Sequence, residues 1–159
     1  MALKFSEDLV SKNAPERLFK AGCVDIHNVV PTVLPQIFSG ASLLEGDGGV
    51  GTVKIFNFHD GLPFKFIKEK VEELDTENYS CVYSVPEGGP LGTVFSSIIY
   101  RLKLVPSSDG GCVFTLTGEY TVIPGVEGAE IYINGDMKQN VGIFMAVDAF
   151  LTASPNAYA

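Results

Sequence analysis

Glu45-Gly46-Asp47-Gly48-Gly49-Val50-Gly51-Thr52-Val53-Lys54 is the stretch on which the fold turns. Glycines at this density let a backbone approach a phosphate closely, so a nucleotide-binding loop is the first reading to test. Such a loop ends in Gly-Lys-Ser/Thr and opens a helix whose N-terminus holds the anion. Here Gly51 runs instead into Thr52-Val53-Lys54-Ile55-Phe56-Asn57-Phe58, a β-branched and aromatic run that reads as strand. The lysine lies inside that strand. The loop residues Gly46, Asp47, Gly48, Gly49 and Gly51 therefore read as a tight turn between two strands.

On the N-terminal side, a strand near 3–11 precedes Asn13-Ala14-Pro15-Glu16, a helix start in which Pro15 occupies the first turn. Segments 14–23 and 26–34 read as two short helices, kept from fusing by Gly22, Pro31 and Pro35. From 37 to 122, β-rich runs alternate with turn chemistry at 46–51, 60–61, 75–78, 86–92 and 106–111, which predicts an antiparallel sheet. After Pro124-Gly125 the period becomes helical and runs to Ser154, where Pro155 stops it. Met137, Val141, Phe144, Val147 and Leu151 fall on one face of this helix, with Ile143 and Phe150 beside them. The class is α+β, in one domain over 1–159.

The strands also indicate which side faces in. Tyr100, Leu102 and Leu104 alternate with Arg101 and Lys103; Cys112, Phe114 and Leu116 alternate with threonines; Tyr79, Cys81, Tyr83 and Val85 form a third set. Each apolar set occupies one face and needs cover. One long helix cannot fill the concave side of a sheet of about seven strands. That leaves a second layer, for which no sequence remains, or a cavity.

The totals bound the function. With 46% hydrophobic residues a substantial interior is possible, and a chain of this length buries roughly 70% of its unfolded surface. Lys and Arg number 11 against 19 Asp and Glu, a formal net charge of −8. That charge argues against nucleic acid and against an anionic membrane face as partners. Cys23, Cys81 and Cys112 are odd in number and widely spaced, with no C-x-x-C pair, so neither a metal site nor another cofactor is expected. His27 and His59 read as surface or helix residues. The charged N-terminus is unlike a signal peptide, and no apolar stretch is long enough to span a membrane. A reduced cytosolic compartment is the simplest expectation, and nothing demands more than a monomer.

Taken together, Arg17-Leu18-Phe19-Lys20-Ala21, the glycine loop, Gly61-Leu62-Pro63-Phe64-Lys65, Tyr83-Ser84-Val85, Glu87-Gly88-Gly89-Pro90-Leu91-Gly92, Asp109-Gly110-Gly111 and Ala157-Tyr158 carry a resemblance that spans the chain. The sequence resembles the class-ten pathogenesis-related proteins of plants, the family of the birch major pollen allergen. The resemblance implies a helix-grip fold: a seven-stranded curved antiparallel sheet wrapped around a long C-terminal helix. Two short helices form a V, and a large internal hydrophobic cavity opens to solvent. It also implies guests among small hydrophobic plant metabolites such as flavonoids, cytokinins, sterols and polycyclic phenolics.

With that fold, the inward residues become cavity candidates. Lys54, Phe56, Phe58, Phe64 and Phe66 come from the strands beside the glycine loop; Cys81, Tyr83, Val85, Ile98, Tyr100, Leu102, Phe114 and Leu116 come from the later strands. Met137, Asn140, Val141 and Phe144 close the cavity from the helix. Tyr83, Tyr100, Asn140 and Lys54 are the candidates for hydrogen bonds to a guest. Each has a plainer reading: the phenylalanines as ordinary core, Tyr83 bonded to a backbone carbonyl, Lys54 neutralising a carboxylate such as Glu69, and the cysteines as inert small hydrophobes.

A storage or transport protein for hydrophobic metabolites is the leading expectation, with no residue assigned to catalysis. The norcoclaurine synthases, a branch of the superfamily, use a cavity lysine with a tyrosine, a glutamate and an aspartate. Only the tyrosine is matched, by Tyr83, while Val85 and Leu116 stand where the acids belong and the lysine position falls near Ser97 or Ile98. Another proton-transfer enzyme using Lys54 and Tyr83 remains an alternative. So does a weak ribonuclease built from Lys54, Glu87 and Tyr120, against which the charge and the lack of a histidine pair count.

Overall fold

Period-two alternation runs through the strands as the sequence predicts. In β6 (Phe95–Pro106), Ile98, Tyr100, Leu102 and Leu104 are buried, while Arg101 and Lys103 are exposed. In β7 (Cys112–Val122), Cys112, Phe114, Leu116 and Tyr120 are buried in the same way. The computed structural model describes residues 2–159. The remaining strands are β1 (Ala2–Ser11), β2 (Phe38–Glu45), β3 (Val53–Phe58), β4 (Phe66–Asp75) and β5 (Ser80–Ser84). They form one seven-stranded sheet in the order β1-β7-β6-β5-β4-β3-β2, antiparallel throughout. Bulges at Phe38/Gly40, Leu43/Glu45, Val71/Glu73 and Phe95/Ser97 add the bend and twist that curve it.

The sheet does not close: β1 and β2 are its two edges. The segment between them carries α1 (Pro15–Phe19), a single π-helical turn (Lys20–Val24) and α2 (Ile26–Val33). The long α3 (Ala129–Ala153) follows β7 and packs against β1, β7, α1 and α2. Its buried residues include Ala129, Ile133, Met137, Phe144, Val147 and Leu151, spaced three, four or seven apart so that one stripe faces the sheet. Gly118 in β7 makes room for this contact. A Cβ there would lie 2.6 Å from the Tyr120 ring and 2.9 Å from the Met137 sulfur.

Two sequence expectations change in detail. Segment 14–23 is not one helix but α1 running into the π turn, which ends where Asp25 N–H bonds to the Lys20 carbonyl at 2.8 Å. Pro31 does not separate helices; it sits inside α2. Its missing N–H removes only the bond to the carbonyl four residues back, and α2 is closed beyond it by Leu34 N–H on the Val30 carbonyl at 2.8 Å.

The C-terminal end of α3 is fastened by side chains. Arg17 donates Nε to the Ala157 carbonyl at 2.9 Å and Nη2 to the Leu151 and Ser154 carbonyls at 2.9 and 2.7 Å. A fork of donors thus satisfies carbonyls that a helix end leaves orphaned. Tyr158 adds a bond from its hydroxyl to Asp25. At the end of β1, Ser11 Oγ donates to Asp148 Oδ1 at 2.5 Å, and Asn13 Nδ2 donates to the same oxygen at 2.8 Å. No helix among the described residues is long and apolar enough to cross a membrane.

Candidate functional site

The buried apolar residues fall into two clusters: a large one where α3 meets β6 and β7, and a small one of Val30, Phe38 and Phe56. A cavity lies between them. Its walls are Ile26 and Val30 of α2, Phe38, Phe56 and Phe58 of β2 and β3, and Ile67 and Glu69 of β4. Tyr83, Tyr100 and the α3 residues Asp136, Gln139, Asn140, Ile143 and Phe144 complete it, with Phe64, Gly89 and Pro90 from loops. A second chamber adjoins it, lined by Cys23, Val24, Gly48, Lys54, Val71, Leu74 and Cys81. Ile26, Glu69 and Tyr83 belong to both and form the partition. The two measure about 50 and 20 Å³, room for a few waters, since one water needs roughly 10–15 Å³ on this measure.

Alternation decides which side chains reach this space. In β3, Lys54, Phe56 and Phe58 point inward, and Phe58 stacks on Phe38 with centroids 5.3 Å apart. In β4 the inward set is Ile67, Glu69 and Val71. The bulge after Val71 then shifts the phase, so that Leu74 also faces in.

Polar groups are few, and only some of them are held by partners. Lys54 is 4% exposed and donates Nζ to the Cys23 and Val24 carbonyls, each at 3.0 Å. Burial pushes its pKa down, against the pull of Glu69 directly across the strand pair. Among the described residues Lys54 makes no ion pair within 4.0 Å. Among the described residues the Glu69 carboxyl has no hydrogen-bond partner, and burial raises it to about 8, opposed by Lys54 and reinforced by Asp136. Asp136 Oδ2 accepts the hydroxyls of Tyr100 and Tyr120, each at 2.5 Å. Burial raises its pKa as well, and the two tyrosines hold it down. Tyr83 packs against Tyr100 at 5.4 Å, and its hydroxyl finds no partner among the described residues. Asn140 donates to the Asp136 carbonyl at 2.9 Å.

Of the candidates named from sequence, Phe56, Phe58, Phe64, Tyr83, Tyr100, Asn140 and Phe144 meet in the main cavity, and Lys54 and Cys81 in the second chamber. The others sit elsewhere. Phe66 is a correction: its place in the β4 alternation turns it outward, where Lys68 Nζ lies 5.7 Å above its ring and Ile67 takes the inward position. Val85, Ile98, Phe114, Leu116 and Met137 are packed core rather than wall. Phe144 rests on Phe114 at 4.3 Å and closes that half of the interior. Leu102 is buried in the same cluster, and Val141 packs against it half-buried.

Within the glycine loop, only Gly48 reaches the second chamber. Three of the loop's donors are taken by the chain itself: Gly48 N–H by Thr52 Oγ1, Gly49 N–H by Asp47 Oδ1, and Gly51 N–H by the Val71 carbonyl. Gly46, at φ +84°, turns the chain where a Cβ would strike Thr52 Oγ1 at 2.6 Å. No helix follows, so the anion cradle of a nucleotide loop is not formed. The ribonuclease trio is not assembled either. Lys54 points inward, Glu87 pairs with Lys68 at 2.7 Å on the outer face, and Tyr120 is committed to Asp136.

Asp136 was not among the helix residues expected to close the cavity, although Asn140, one turn further on, was. The signal was present: Asp136, Asn140 and Phe144 are spaced four apart and share a stripe.

The family description "Pathogenesis-related protein Bet v 1 family" matches residues 1–154. The chain belongs to this family. The major allergen Pru ar 1 of Prunus armeniaca is 38% identical over 154 residues, covering 97% of this chain and 96% of that protein. The crystal structure of Ara h 8.0201 superposes with a TM-score of 0.82 at 24% identity, over 97% of this chain and 100% of the other. Norcoclaurine synthase from Thalictrum flavum superposes with a TM-score of 0.80 at 23% identity, over 96% and 87% of the two chains. At such identities these structures establish the shared sheet and helices, and the chemistry must be argued from the cavity itself.

Proposed function

We propose that this protein is an intracellular, defence-type binder of small hydrophobic plant metabolites, holding one guest in the internal cavity for storage or transport. The observation that carries the reading is the cavity wall, in which Phe38, Phe56, Phe58, Phe64, Tyr83, Tyr100 and Phe144 converge with a few polar groups between them. Aromatic walls with sparse polar handles suit flat ring systems such as flavonoids, cytokinins and sterols. Ligand pockets usually measure about 300–1,000 Å³, so a guest of that size must part the walls. Gly135 and Gly142 weaken α3, each by about 1 kcal/mol relative to alanine, and make it the wall that yields. Three free buried cysteines fit a reducing cytosol, and the −8 charge speaks against nucleic acid.

The test uses the neutral dye N-phenyl-1-naphthylamine, whose fluorescence rises in apolar surroundings. The protein binds it, and a flavonoid, a cytokinin or a sterol displaces it. Ile143→Trp, which fills the cavity from α3, weakens dye binding by roughly tenfold or more while the circular dichroism spectrum is kept. No binding by wild-type protein, or undiminished binding by Ile143→Trp, overturns the reading.

A second reading is favoured by one observation: Glu69, Asp136 and Tyr83 all face the cavity. These are acid–base groups on a binding site, so a proton-transfer or condensation step on the guest is the enzymatic alternative. New products from a bound guest that disappear with Tyr83→Phe mark that outcome.

A further inference from the structure

We infer that Cys23 and Cys81 are an oxidisable pair, which a peroxide converts into a disulfide that fastens the π turn to β5. Both thiols are free and buried, and both line the second chamber. They come to it from different elements. Cys23 sits in the π turn, and Cys81 is an inward residue of β5, paired with Leu74 of β4 on one side and Leu102 of β6 on the other. The Cys81 side chain lies within hydrogen-bonding reach of Cys23. A bond between elements that already meet restricts the unfolded chain far more than the folded one.

Access separates this pair from the third cysteine. Cys23 and Cys81 are 8% and 6% exposed, against 0% for Cys112, whose Sγ donates to the Asn13 carbonyl at 3.6 Å. The chamber holds about 20 Å³, room for a water-sized molecule. Hydrogen peroxide is little larger than water and enters, while glutathione disulfide, two joined tripeptides, stays outside. Lys54, held on the Cys23 and Val24 carbonyls, lines the same space. Burial, and after it Cys81, push the Cys23 thiol well up, and Lys54 opposes them in favour of the reactive thiolate.

The chemistry takes two steps. One thiolate sulfur attacks a peroxide oxygen and the O–O bond breaks. The products are a sulfenic acid and a hydroxide, which takes up the thiol proton as water. The second sulfur then displaces the hydroxyl group: the S–S bond forms, the S–O bond breaks, and the hydroxyl leaves with the second thiol proton as water. Two thiols and one peroxide thus become one disulfide and two waters, with sulfur oxidised and peroxide oxygen reduced. Burial slows the first step, and the neighbouring thiol speeds the second. The bond fixes the turn whose carbonyls hold Lys54 and shuts the second chamber, while the main cavity keeps its walls. In a reducing compartment it forms only under oxidative load, as a sensing disulfide does. None of this depends on the guest that the main cavity takes.

The experiment adds hydrogen peroxide to the reduced protein, alkylates the remaining thiols in denaturant and maps the digest by mass spectrometry. The expected product is a monomer short of two hydrogens, with a Cys23–Cys81 cross-linked peptide and an alkylated Cys112. Peroxide acts at least roughly tenfold faster than glutathione disulfide at equal concentration. Cys112→Ser leaves the reaction unchanged, whereas Cys23→Ser and Cys81→Ser each abolish the bond and stop at a sulfenic acid that dimedone labels. The bonded form melts higher by roughly 5 °C or more, a gain lost on reduction. Thiols that stay free under peroxide, a bond to Cys112 or to a second molecule, equal speed with glutathione disulfide, or a Tm not raised by the bond overturns the inference.

Discussion

At the scale of single residues, Glu69 and Lys54 show how little a facing register guarantees. They are directly opposed across β3 and β4, yet Lys54 bonds to two carbonyls and no ion pair forms. A carboxyl buried without a partner holds its proton to about 8, against an ordinary value of 4.5. Between those values the native state binds more protons than the unfolded chain, so stability falls as pH rises from about 4.5 to about 8. Asp136, also raised, acts in the same direction. Urea unfolding from pH 5 to pH 8 is expected to lose roughly 2 kcal/mol through Glu69, less than the full shift because its carboxyl meets cavity water. Glu69→Gln flattens that slope and makes the protein more stable than wild type at pH 8; an unchanged slope removes this account. The sequence named Lys54, Tyr83 and Tyr100 because inward polar residues stand out in an alternating strand. It named Phe66 in error because the fully apolar pair Phe66-Ile67 offers no local sign of which one turns inward.

At the scale of elements, the C-terminal end of α3 depends on a side chain from the far end of the chain. Arg17 reaches three carbonyls at or beyond the last turn, and its positive charge sits at the negative end of the helix. Arg17→Ala is expected to destabilise the fold by about 2–4 kcal/mol, measured by chemical denaturation. Arg17→Lys recovers less than half of that, because one ammonium cannot reproduce a planar fork; full recovery by lysine would mean that charge alone matters. The strands, their turns and the stop at Pro155 were legible from local chemistry. The π turn and the position of Pro31 inside α2 were not, since both are tolerated only because the helices pack on α3 and the sheet.

At the scale of the whole molecule, the sheet is wider than one helix can cover, and the two apolar clusters record the result. α3 settles on β6 and β7 to make the large core, and the cavity is left toward β2, β3 and α2. A guest that fills this space binds the native state alone and stabilises it by mass action. At a free concentration about 100 times its Kd the gain is roughly 2.7 kcal/mol, which raises Tm by roughly 5–10 °C for a domain of this size. Thermal scans by circular dichroism with N-phenyl-1-naphthylamine check this, and a Tm unmoved by saturating dye would place the dye outside the fold's interior. The sequence by itself determined the antiparallel sheet, the two short helices, the closing helix and the family, because strand alternation, turn glycines and helix period are set by residues near one another in the chain. Only the tertiary structure decided which inward aromatics became core and which became wall. That choice depends on where α3 comes to rest, with Phe144 on Phe114 closing one half and Asp136 carried to face Glu69's side of the other. Contacts between residues so distant in sequence leave no local trace.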